Sequence, residues 1–231
     1  MKTRRLVKNV LLTMSFPLLG LTGEGCCGGG ESLYQRPVDV SPEQAQKLLE
    51  EGNQRFVASQ VLKKDLGKAK RDDLLNNGQK PFAVVLCCSD SRVPPEHIFD
   101  QGLGDLFVIR VAGNVLDQTV LSSVIYGVEH LNAPLLVVLG HSDCGAVKAT
   151  VQGAEVPGIS DRISPLVEKV KASGVTGAEV YPLVEDENVG AVMAELNENE
   201  EIKHLVEKGA LKVVGAKYHL DTGLVTLFPG K

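Results

Sequence analysis

Two short segments hold the side chains best suited to metal chemistry: Cys88-Ser89-Asp90-Ser91-Arg92 and His141-Ser142-Asp143-Cys144-Gly145. Two thiolates and an imidazole form a soft-to-borderline donor set that suits zinc. Three protein ligands leave a fourth tetrahedral position for water, as in a catalytic site, whereas a structural site is normally closed by four. Zinc lowers the pKa of a bound water to about 7. Asp90 and Arg92 stand two and four residues after Cys88, and two roles are open for the aspartate. It can be a fourth ligand, or it can accept a hydrogen bond at the metal while Arg92 keeps it ionised through a bidentate pair. Taken alone, these two residues also fit a strand-end turn with a surface ion pair. A cysteine nucleophile with a histidine base, His141-x-x-Cys144, is the other chemical reading. It leaves Cys88 without a purpose and offers no evident residue to orient the histidine.

The two segments meet if each follows a strand of one parallel sheet, because ligands bind at the carboxyl ends of such strands. The pattern after Pro81 fits this, with short apolar runs alternating with amphipathic stretches. Strands are expected at 82–87, 106–111 and 135–139, a late strand at 211–218 and an edge strand at 224–228. Helices are expected from Ser41, which caps with Pro42 at the first position, over 117–131 with Asp117 as cap, and near 145–152, 159–172 and 188–207. Residues 63–71 read as a basic linker. Cys87 precedes Cys88 on a strand, so its side chain should face the opposite way and behave as a small buried hydrophobe. The fold class is α/β: a mostly parallel central sheet with helices on both faces, in one domain over 41–231.

The 231 residues, 43% hydrophobic and 23% charged, suit one such domain. The net charge is −5, and since residues 1–25 carry +3, the rest carries −8. Nucleic acid is not an expected partner. Residues 1–25 read as an export signal, with basic residues at 2–8 and an apolar run over 10–21 too short to span a bilayer. Arg4-Arg5 resembles the opening of a twin-arginine signal, and a periplasmic location is expected. Cys26 is the alternative, a lipid-anchor site, although Glu24 spoils that signature. Residues 26–40 read as a flexible lead-in. Five cysteines in an exported chain first suggest disulfides. Cys87, Cys88 and Cys144, at the ends of expected strands, argue for thiols instead.

The Cys-x-Asp-x-Arg and His-x-x-Cys pair, with the flanks Arg110-Val-Ala-Gly-Asn and Gly140-His-Ser-Asp-Cys-Gly-Ala, resembles the signature of the β carbonic anhydrases, and the resemblance runs from about residue 41 to 228. It implies the β carbonic anhydrase fold and one zinc ion per subunit, held by Cys88, His141 and Cys144. Asp90 and Arg92 form the dyad that governs the fourth position, Asp90 ligating zinc in a closed form. The implied reaction is reversible hydration of carbon dioxide to bicarbonate and a proton. Gln79, Phe107 and Tyr126 fall where plant-type members place substrate residues contributed by a neighbouring subunit, so a homodimer or higher homo-oligomer is implied. Gly145 would present its backbone N–H to the bound anion. Read without the family, Gln79 is a solvated loop residue, Phe107 a core phenylalanine and Tyr126 a helix tyrosine facing the core. The chain departs from the plant pattern at Ala112, where a larger valine is usual, and the pocket width is affected. Val85 stands where some bacterial members carry the tryptophan of an inhibitory bicarbonate site, so plant-type behaviour near neutral pH is expected. Two competing functions share these residues: zinc-dependent hydrolysis of carbon disulfide or carbonyl sulfide, and a non-catalytic zinc- or bicarbonate-binding module.

Overall fold

Ser41 opens the first helix of this computed structural model, which describes residues 39–228. The expected export segment, Cys26 and residues 26–38 of the lead-in lie outside the described residues. Helix α1 (Pro42–Val57) carries the expected cap. The Ser41 hydroxyl accepts from the Gln44 amide, the Gln44 side chain accepts from the Ser41 amide, and Pro42 sits where no helical donor is needed. Helix α2 (Lys68–Asn77) takes up the last four residues of the expected linker and runs beyond it. It buries no residue and is held by side-chain pairs one turn apart, Lys68 with Asp72 and Asn77 with Asp73. Without an apolar stripe it leaves no periodic signal in the sequence.

Strands β1 (Ala83–Cys87), β2 (Leu106–Arg110), β3 (Leu135–His141), β4 (Lys212–Tyr218) and β5 (Val225–Leu227) form one sheet in the order β2-β1-β3-β4-β5. All neighbours are parallel except β4 and β5. The inner strands β1 and β3 are buried along their whole length, which is why they read as unbroken apolar runs. Successive side chains alternate between faces. Ala83, Val85, Cys87, Leu135, Val137 and Leu139 meet α1 and the short α3 (Pro95–Ile98). On the other face Val84, Leu86, Leu136 and Val138 meet helices farther along the chain. These are α4 (Gln118–Ile125), α7 (Val180–Glu198) and α8 (Glu200–Glu207). Helices α5 (Gly145–Val151) and α6 (Ser160–Ala172) complete a third apolar cluster around Cys88 and Cys144. Cys87 and Cys88 thus join different clusters, as strand alternation requires. Burial pushes the Cys87 thiol up to about 12, as befits an inert core residue.

Two helices differ from expectation. The helix over 117–131 is capped by Asp117, whose carboxylate accepts from the Val120 amide, but after α4 it passes into a π-helical turn over Tyr126–His130. The expected 188–207 helix begins eight residues earlier and is two helices. Pro182 is tolerated in the first turn of α7, where its missing donor is not needed. Asn199 ends that helix and caps α8 through the Ile202 amide.

Helix α7 lies very close to the sheet at Gly140, one residue before His141, where a Cβ would stand 2.5 Å from Val189 Cγ2. Only glycine permits that approach. Gly140→Ala should therefore lower stability by about 1–3 kcal/mol, read as a reduced midpoint in denaturant unfolding; an unchanged midpoint would mean that α7 yields freely.

Candidate metal centre

The sheet order sets the site. Strand β1 is followed by β2 on one side and lies beside β3 on the other, with Cys87 in register with Leu139. Such a switch in strand order opens a crevice at the carboxyl ends. Cys88 enters it just after β1, His141 ends β3, and Cys144 stands at the N-cap of α5. Among the described residues these three form a buried group whose ligand atoms all lie within 4.8 Å of one another.

The local chemistry suits a soft dication. His141 Nδ1 lies 2.9 Å from the Ser142 carbonyl, which can only accept, so the proton belongs on Nδ1 and the lone pair on Nε2. Nε2 is buried and has no hydrogen-bond partner, the arrangement of a ligating histidine. Burial works against a charge on the ring, yet the neighbouring Cys88 raises its pKa overall. The Cys144 thiol beside Cys88, opposed by burial but aided by His141 and by the Gly113 amide at 3.2 Å, holds the Cys88 thiol far below the usual range. Cys144 is driven up by that same neighbour and by burial. A cation bound between them favours the ionised form of both thiols. A tetrahedral zinc ion bonds sulfur at about 2.3 Å and nitrogen at about 2.0–2.1 Å, which sets donors roughly 3.5–3.8 Å apart. The three residues fit it.

Asp90 stands outside this trio and is gripped by Arg92. Arg92 Nε donates to Oδ1 at 2.9 Å, Nη2 to Oδ2 at 2.8 Å, and the Arg92 amide to Oδ1 at 2.9 Å. Arg92 also reaches the Asp143 carboxylate at 3.3 Å and its carbonyl at 3.1 Å, while Lys148 pairs with Asp143 as well. Sequence reasoning missed Asp143 as a second partner, although it sits inside the quoted His-Ser-Asp-Cys segment. It also missed Arg110, whose guanidinium braces the Asp90 and Cys88 carbonyls at 2.6 and 3.2 Å. Gly113, at φ 70°, turns its amide onto Cys88 in a backbone conformation that favours glycine. Glu185 and Lys217, buried behind Cys144, had no signal at all: a charged residue on a helix or strand reads as a surface residue.

The remaining site candidates lie elsewhere. Gln79 precedes β1, is exposed, and shares a surface hollow with His130. Phe107, on β2, is in register with Val84 of β1, and its ring centroid is 5.9 Å from that of Tyr126. Tyr126 is half exposed rather than facing the core and stacks on His130 at 5.3 Å. The three therefore gather towards the amino end of the sheet, where Phe107, paired four residues before Cys88, stands roughly 13–15 Å from it by strand rise. Gly145 opens α5 beside Cys144 and is exposed, with nothing within 4 Å of the place a Cβ would occupy.

Comparison with known proteins gives a consistent picture. A family model described as carbonic anhydrase matches residues 83–225. A carbonic anhydrase of Mycolicibacterium smegmatis is 41% identical over 196 residues, 81% of this chain and 93% of the relative. Carbonic anhydrase 2 of Mycobacterium tuberculosis is 40% identical over 198 residues, 82% and 94% of the two chains. Among solved structures, the β-carbonic anhydrase CcaA superposes with TM-score 0.63 at 27% identity over 80% of this chain and 95% of its own. One described as a tetrameric β-carbonic anhydrase of Sordaria macrospora gives TM-score 0.61 at 26% identity, over 70% and 89%.

The Arg92 hydrogen bonds hold the Asp90 carboxyl down at about 2. A depressed carboxyl stabilises the fold above its ordinary value, and that contribution is lost as pH falls towards 2. Arg92→Ala should raise the Asp90 value by about 1–2 pH units, followed by carbon-13 NMR titration; no movement would show that another group holds the charge.

Proposed function

This chain belongs to the carbonic anhydrase family and carries the fold of its β class, and from that premise we propose that it hydrates carbon dioxide at a zinc ion held by Cys88, His141 and Cys144. One observation carries the metal assignment: three soft-to-borderline donors buried within 4.8 Å, with the His141 Nε2 lone pair unpartnered. When bound there, zinc supplies the Lewis acidity that lets water lose a proton near neutral pH.

The chain's own residues do the rest. Arg92 keeps Asp90 ionised and turned away from the three donors, which supports a site whose fourth position is open. From there the carboxylate accepts a hydrogen bond from the water that adds to carbon dioxide, orienting its lone pair towards the carbon. The exposed Gly145 amide, at the start of α5, is set to meet the developing bicarbonate. Gln79, Phe107 and Tyr126 serve a neighbouring subunit's site, a reading supported by their gathering on the opposite end of the sheet from their own thiols. The active unit is then a homodimer or a larger assembly, and the Sordaria macrospora relative is described as tetrameric. Export to the periplasm belongs to the same proposal, supported by the basic and apolar runs over 2–21. No helix of the described residues is long and apolar enough to cross a membrane.

Stopped-flow hydration of carbon dioxide should show activity rising from about pH 6.5 to 9 in the zinc-loaded protein and absent in Cys144→Ser. Inactivity with zinc bound would overturn the assignment and favour carbon disulfide or carbonyl sulfide as substrate. Mixing Gln79→Ala with Cys144→Ser chains should restore activity, since an exchanged dimer regains one intact site; if each chain is complete alone, mixing will add nothing.

A further inference from the structure

Helix α7 presents two buried polar side chains three residues apart, Glu185 and Asn188, on the face turned towards the metal centre. Glu185 Oε1 accepts from the Cys144 amide at 3.0 Å. Its Oε2 lies 2.9 Å from Lys217 Nζ, which is itself buried on β4 and donates also to Asp186 at 2.8 Å and to the Pro182 carbonyl at 3.3 Å. Asn188 Nδ2 donates to the Gly113 carbonyl at 2.7 Å, and the Gly113 amide in turn donates to Cys88 Sγ at 3.2 Å. One helix thus reaches both cysteines, Cys144 directly through Glu185 on its amide and Cys88 indirectly through Asn188 on the Gly113 turn.

We propose that Glu185 and Asn188, with Lys217 securing Glu185, are positioning residues that preset the Cys88 and Cys144 thiols for the metal. The inference rests on the zinc reading of the same site. A buried ion pair carries a large desolvation cost, and well-packed apolar side chains of the same volume stabilise a core as well or better. The Glu185–Lys217 pair is therefore weakly accounted for by stability. It is well accounted for by aim, because a carboxylate on a backbone amide is a strong and directional acceptor. The neighbouring residues of α7 on this face, Val184, Val189 and Val192, are apolar and buried, so the two polar positions are exceptions set where the loops need them. Gly140 lets the helix sit near enough for both to reach.

Groups that support the ligands in this way typically change metal affinity 10–100-fold when removed; Glu185 is one hydrogen bond from Cys144, and Asn188 is two from Cys88 through Gly113. The test is zinc affinity of the full chain by competition with a chromophoric chelator, together with the sulfur-to-cobalt absorption bands of the cobalt(II) form. Glu185→Ala and Asn188→Ala should each weaken zinc binding at least about 10-fold and shift the cobalt bands. Glu185→Gln, which keeps an oxygen for the Cys144 amide, should recover part of the loss. Far-UV circular dichroism separates loss of fold from loss of aim; should Glu185→Ala not fold, Asn188→Ala and Glu185→Gln decide. Folded variants that keep the parent's zinc affinity within about twofold, with unchanged cobalt bands, would refute the positioning role. A parent chain that takes up no zinc would instead overturn the metal reading on which it rests.

Discussion

Everything at the centre depends on the parallel pairing of β1 with β3. The two donor segments are more than fifty residues apart, and neither can hold a metal alone. Their meeting is enforced by backbone hydrogen bonds that set Cys87 against Leu139, so that the residues leaving β1 and the last residues of β3 emerge side by side. A strand offset by one residue would turn every side chain to the other face. The unbroken burial of both strands gives that register a strong apolar lock on two faces at once.

Closing the crevice brings negative charge together in a buried place, and the structure meets each charge with a fixed donor. The Gly113 amide serves Cys88, the amides of Ala146 and Val147 at the start of α5 serve Cys144, and Arg92 serves Asp90. Arg92 in turn is held by Asp143, and Arg110 ties down the carbonyls of the loop it serves. The Cys88 and Cys144 thiols displace each other in opposite directions, and a doubly charged cation between them would favour both thiolates.

The two ends of the sheet divide the labour. The carboxyl end holds Cys88, His141 and Cys144, the group able to bind a metal, and the Asp90–Arg92 pair. The amino end carries the tilted Phe107–Tyr126 contact, the Tyr126–His130 stack and the hollow beside Gln79. Under the proposed function, these amino-end residues would complete the site of a second copy rather than that of their own chain.

The sequence by itself determined the candidate donor set, the buried strands and the helices that carry caps or an apolar stripe. Those are encoded locally, in residue type, in the Ser41 and Asp117 caps and in continuous apolar runs whose meaning survives without a partner element. It did not disclose α2, whose exposed helix has no apolar period, or the break at Asn199, where a cap lies inside an otherwise continuous pattern. It could not say that Asp90 would stand beside Arg92 instead of joining Cys88, His141 and Cys144, because both arrangements use the same spacing. Above all it concealed Glu185, Asn188 and Lys217. A polar group on a helix or strand reads as solvent-facing until packing buries it, and only the tertiary structure, by laying α7 against Gly140, decided that Glu185 points inward at the Cys144 amide, Asn188 at the Gly113 turn and Lys217 at Glu185.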